Sequence, residues 1–135
     1  MPRVGNEDGS PGNEVRVLSS VTVTGSRTAA AGAGTQSITG VGFKANVVLA
    51  IAARTDVTGS GSSVGHRGTN AVNSGVRQYT TGNAGLSFSY SIYVDSLLGV
   101  NEMRATITPT NDGADLVWEK VGAGVDVDFS LLFLR

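Results

Sequence analysis

In the closing stretch of the chain, Val125, Val127, Phe129, Leu131 and Phe133 alternate with Asp126, Asp128 and Ser130. A period of two marks a strand with one buried face. The alternation breaks where Leu132 and Leu134 put apolar groups on the second face as well. Such a strand is expected to be covered twice, once by its own domain and once by something else, for example another subunit.

The same reading recurs upstream. Val15, Val17, Val21 and Val23 share one face of a predicted strand over Val15–Thr24, and Val47–Ala53 is apolar on both faces, as a central strand would be. Short strands are predicted at Ser63–Arg67 and Val76–Thr80, on either side of a loop from Gly68 to Gly75. Over Leu86–Val94 the pattern points Leu86, Phe88, Tyr90, Ile92 and Val94 inward and sets Ser87, Ser89 and Ser91 outward. Glu102–Pro109 places Met103, Ala105 and Ile107 inward, and Asn111-Asp112-Gly113 is a hairpin signal leading to a return strand, Asp115–Val121, that carries Leu116 and Trp118. Gly122 and Gly124 then turn the chain into the last strand. Three alanines at 29–31 are flanked by Gly25, Gly32 and Gly34, too short a run to nucleate a helix, so Gly25–Thr35 reads as a loop.

Eight or nine short strands and no helix predict an all-β fold, a single antiparallel β-sandwich of jelly-roll-like form over residues 15–135. Residues 1–14 are rich in Pro, Gly, Asn, Asp and Glu and cannot bury enough to order themselves, which makes them an extended N-terminal arm. The expected holder of that arm is a neighbouring molecule, with Pro2, Arg3 and Val4 as contacts; the alternative is that it folds back on its own domain.

Composition narrows the function. At 135 residues the chain is one ordinary domain, and without cysteine it has neither disulfides nor thiol chemistry. Charged residues are 16% of the chain against about 25% in an average domain. A surface so short of charge is often one that partners cover; the alternative is a Gly/Ser/Thr-rich β domain kept soluble by its hydroxyls. The net charge of −1 and the scattered Lys and Arg argue against nucleic acid as a partner. No apolar run approaches the roughly 20 residues of a membrane helix, so no membrane partner is expected and synthesis in the cytoplasm is the default.

Candidate chemistry is sparse. Gly40, Gly42 and Ala45 trace the outline of a dinucleotide-binding loop, but a β-branched run follows where that loop needs a helix. His66, the only histidine, has no carboxylate near it in sequence with which to form a triad. Asp126 and Asp128 would lie about 7 Å apart on one strand face. Two such ligands are too few for calcium, and a solvated face is the reading. Most aromatic residues fall on inward positions, leaving Tyr79 and Tyr93 as possible stacking platforms for a sugar. No catalytic residue, cofactor or metal is therefore assigned, and an enzyme is not expected.

The segment Ile38–Arg54 (ITGVGFKANVVLAIAAR), the run Ser63-Val-Gly-His66 and the stretch from Met103 through Asn111–Arg135 (NDGADLVWEKVGAGVDVDFSLLFLR) follow one order of features. A Gly-Phe-Lys turn precedes an apolar strand, a Ser-x-Gly strand follows, and a D-G-x-x-x-x-W hairpin leads to a long apolar strand. In this order the chain resembles small β-sandwich and jelly-roll virion proteins of tailed bacteriophages, with Ala45 and Asn46 where that turn commonly has proline. The resemblance implies a structural role in the virion, first as a capsid decoration (cement) protein that bridges capsomers at the capsid surface. The expected partners are the chain itself, as a homotrimer, and the major capsid protein or other virion proteins. The expected assembly interface is Pro2, Arg3, Val4, Leu132, Phe133, Leu134 and Arg135. The alternatives are a carbohydrate- or receptor-binding tail module using Tyr79 and Tyr93, or a component of the head-to-tail connector.

Overall fold

A computed structural model describes residues 19–55, 61–69, 72–79, 84–87, 89–96 and 100–135. The arm, with Pro2, Arg3 and Val4, lies outside the described residues, as do the start of the first predicted strand, Phe88 and Leu97–Leu98. Ten strands are present among the described residues: β1 (Ser20–Arg27), β2 (Gly34–Ile38), β3 (Val47–Arg54), β4 (Gly61–Arg67), β5 (Asn73–Tyr79), β6 (Ala84–Ser87), β7 (Ile92–Asp95), β8 (Glu102–Thr110), β9 (Gly113–Val121) and β10 (Val127–Leu134). They form two antiparallel sheets, one in the order β1-β10-β3-β4-β5-β6 and the other β2-β9-β8-β7. The fold is an all-β sandwich. At one end β1 and β2 wrap against β10 and β9, the jelly-roll manner of joining two sheets, whereas β3 to β6 run as a plain meander.

The core lies where the alternating patterns of both sheets meet. Val127, Phe129, Leu131 and Phe133 of β10 and Val48, Ala50 and Ala52 of β3 face Met103, Ala105 and Ile107 of β8 and Ala114, Leu116 and Trp118 of β9. The Trp118 ring sits 5.8 Å from that of Phe129, and its indole N–H donates to Gln36 Oε1 at 3.0 Å. Burying an indole without such an acceptor would leave a donor unsatisfied. That bond ties the edge strand β2 to the centre of the core.

The structure corrects the sequence reading at four places. First, β1 runs on through Gly25 to Arg27, because Gly25 faces inward beneath Phe129, whose ring occupies the space a Cβ would need. Second, Gly34–Ile38 is a strand rather than loop, held by pairing with Ala114–Trp118, and the three alanines form a single 3₁₀ turn. Third, β5 begins at Asn73, which shortens the loop predicted from Gly68.

The fourth correction is the largest. The single strand expected over Leu86–Val94 is two, β6 in the six-stranded sheet and β7 in the four-stranded one, and the chain crosses between the sheets before Ile92. Ser91, expected on the outside, is fully buried, with its hydroxyl 2.7 Å from Asn73 Oδ1 and 2.8 Å from the His66 carbonyl oxygen. Asn73 Oδ1 also accepts the Ile107 N–H at 2.7 Å, so one amide oxygen links β5 to β8. The crossing segment lies directly against β4. A Cβ on Gly65 would overlap the Ser91 carbonyl oxygen, so here backbone packs on backbone.

Candidate interaction faces

Two outward faces remain, and the register decides what each carries. On the six-stranded sheet, strand partners place Thr24, Ser130, Ile51, Val64, Val76 and Leu86 in one row across all six strands. The next row is Thr22, Leu132, Leu49, His66 and Ser74, and the third begins Ser20, Leu134, Val47. Ile51 is 61% exposed, Val64 59%, Val76 44% and Leu49 40%. Burying a large aliphatic side chain is worth about 1.5–3 kcal/mol, and these four stand side by side in water.

Leu132 and Leu134 lie on this face, half-buried by their neighbours in the rows. Phe133 points the other way and is sealed in the core, so it belongs to the domain's interior rather than to any face. Arg135 is exposed just beyond β10, its backbone N–H donating to the Ser19 carbonyl at 3.0 Å. Sequence alone singled out the two leucines. Their apolar neighbours on β3, β4 and β5 come from the register.

Beside Ile51 the face dips into an open hollow of about 540 Å³, bordered by Thr24, Ser26, Ala53, Asp128 and Ser130. Its floor is low because the outward side chains there, Ser130 and Ala53, are small. Asp128 and His66 are the ionisable residues of this face among the described positions. The His66 ring makes a hydrogen bond with Ser74 Oγ across the strand pair, at 3.2 Å from Nδ1. Asp126 does not join Asp128: its Oδ1 accepts the Ala29 N–H at 2.6 Å and anchors the 3₁₀ turn.

The outward face of the four-stranded sheet carries a closed polar network, with the exposed Val117 beside it. Tyr93, Arg104 and Glu119 are strand partners across β7, β8 and β9. Arg104 reaches Glu119 Oε2 at 2.9 Å and Glu102 Oε2 at 3.2 Å, and its guanidinium carbon lies 4.6 Å from the centre of the Tyr90 ring. The Tyr90 hydroxyl donates to Glu119 at 2.8 Å and the Tyr93 hydroxyl to Glu102 at 2.7 Å. The two tyrosine rings lean together with centroids 6.0 Å apart. Burial, followed by the bond to Glu119, raises the Tyr90 phenol above its ordinary pKa; that same bond and Arg104 hold Glu119 below the ordinary carboxylate range.

The tyrosines singled out from sequence are separated by this architecture. Tyr93 lies half-buried in the network of the four-stranded sheet, whereas Tyr79 lies on β5 of the six-stranded one, paired with Gly61. Tyr90, expected inside, belongs to the network; Ser91 takes the interior position next to it.

The glycine loop has also found its anion within the chain. Asp112 in the β8–β9 turn accepts the Gly40 N–H at 2.9 Å and the Gly42 N–H at 2.7 Å, and the two bonds draw its carboxyl pKa below the ordinary value. Backbone donors of the kind that cradle phosphate elsewhere here close a loop onto a hairpin. Among the described residues no three Asp, Glu or His side chains converge to hold a metal ion. Comparison with protein-family models, with curated proteins and with solved structures finds no match to this chain.

Proposed function

We propose that this chain is a structural virion protein of the tailed-bacteriophage kind, a capsid decoration (cement) protein that acts by assembly and not by catalysis. The observation that carries the reading is the exposed row Ile51, Val64 and Val76, continuous with Leu49, Leu132 and Leu134. A solvated sheet face normally alternates to polar residues, so apolar rows on both faces of β3 and β10 call for a second covering layer. The low content of charge, and an order of sequence features that resembles that of phage β-sandwich proteins, support the same reading. In this mechanism the apolar face joins the domain to other protein while residues 1–14 tie it to the shell.

The sugar-binding alternative draws less support. Tyr93 has its hydroxyl committed to Glu102 and its ring against Tyr90, so it is not a free platform. Deleting residues 1–14 tests the assembly role. The truncated protein is expected to keep its fold and its self-association while losing co-sedimentation with capsids of the phage that encodes it. Undiminished co-sedimentation would remove the arm from the mechanism, and specific binding on a glycan array would favour the tail module.

A further inference from the structure

We infer that the occupant of the outer face of the six-stranded sheet is the same face of a second copy of this chain, related by a two-fold axis. The inference rests on reading that face as an assembly surface, and it names the partner, with a two-fold pair in place of the homotrimer expected from the sequence.

Area is the first argument. Six strands about 4.8 Å apart, each about seven residues long at about 3.3 Å per residue, present a face of roughly 29 by 23 Å, or about 650 Å² in projection. Accessible area on a pleated surface exceeds its projection, so the face matches the roughly 800 Å² per partner of a stable interface. Two such sheets stack about 10 Å apart, as sheets do inside a sandwich.

Charge is the second. The described positions of this face carry no Lys or Arg, one carboxylate (Asp128) and one histidine. A charged partner would find a single carboxylate there to pair with, whereas a face so poor in charge is complementary to itself.

Shape is the third. A two-fold axis running parallel to the strands, midway across the sheet, sets β3 against β4 of the second copy and β10 against β5. Ile51 of each copy then meets Val64 of the other at the centre of the interface. The Val76 ridge of each copy comes over Ser130, beside the other's hollow between Thr24 and Ala53. Ridge and hollow lie on opposite halves of one face, the arrangement a two-fold operation requires. The two Asp128 side chains are kept apart, because each faces β5 and not its own counterpart.

Analytical ultracentrifugation of the full chain tests this. The wild type is expected at twice the 13.8 kDa of one chain. Ile51→Asp and, independently, Val64→Asp are expected at the single-chain mass with the wild-type circular dichroism spectrum. Both sites are exposed, so the fold tolerates the change, and Arg104→Ala on the opposite face serves as a control that stays paired. A wild type that stays at the single-chain mass at about 100 µM, a three-fold mass, or pairing that survives Ile51→Asp would each overturn the two-fold interface. Capsid co-sedimentation separates the two claims. A single-chain wild type whose capsid binding is lost in Ile51→Asp refutes the second copy and keeps the assembly reading. A single-chain wild type that binds no capsid refutes both.

Discussion

The two outward faces of this sandwich share one pleated backbone and are finished in opposite ways. On the four-stranded sheet, Arg104 is held by two carboxylates and a tyrosine ring, and the hydroxyls of Tyr90 and Tyr93 each have an acceptor. Its partners are within the chain. On the six-stranded sheet Ile51, Val64, Val76 and Leu49 stand exposed among threonines and serines. The difference teaches that a sandwich's stability and its associations are written on different surfaces of the same strands. In β10, Leu131 and Phe133 serve the fold, while Leu132 and Leu134 face whatever lies outside.

Substitutions can break or sharpen that contrast. The largest effect is expected at Gly65→Val, which drives a side chain into the Ser91 carbonyl where the crossing segment meets β4. A loss of at least about 3 kcal/mol, read by urea unfolding, is the expected outcome; near-wild-type stability would show that the two sheets can part there without cost. Leu131→Ala and Leu132→Ala, neighbours on one strand, test the division directly. The inward change is expected to cost about 2–5 kcal/mol. The outward one should cost about 1 kcal/mol or less in the single chain, its effect appearing in the sedimenting mass.

Smaller effects are expected on the polar face. Arg104→Met should lower stability by about 1 kcal/mol or less, an effect that shrinks with added salt, and leave association untouched. Altered self-association in that variant would mean the four-stranded sheet also takes part. The smallest is Asp112→Asn. Because the folded-state pKa of Asp112 is depressed, its contribution to stability is present above the ordinary carboxylate value of about 4 and fades as pH falls through the lowered one. Melting temperature against pH between about 2 and 6 should therefore fall less steeply for the variant than for the wild type.

Much of this could be read from spacing alone. Strands β3, β8, β9 and β10 lie close to where their alternation puts them, because each has large aliphatic or aromatic groups on its buried face. What escaped prediction lacked that signal. Strand β2 has Ile38 as its one aliphatic residue and owes its place to pairing with β9. The inward positions of β4 and β5 include Gly61, Gly65 and Gly75, chosen for close approach, so no periodicity of size marks them. The crossing before Ile92 was hidden by an alternation that runs on undisturbed. Only the three-dimensional neighbours, Asn73 for Ser91 and Glu119 for Tyr90, show why the pattern inverts there. The outer face was half legible: Leu132 and Leu134 stood out, but Ile51, Val64 and Val76 become one surface only through lateral pairing.

The seating of β10 between β1 and β3 sets an order of events for a newborn chain. Among the described residues, the strand of Ser20 gains its neighbour only when Leu134 and the rest of β10 arrive. Until then β3 has a free edge flanked by aliphatic side chains, and contacts so remote in sequence form slowly. Molecules in which this pairing has not yet formed should accordingly be the ones that depend on chaperones, and the yield of folded protein should fall first when expression outpaces it.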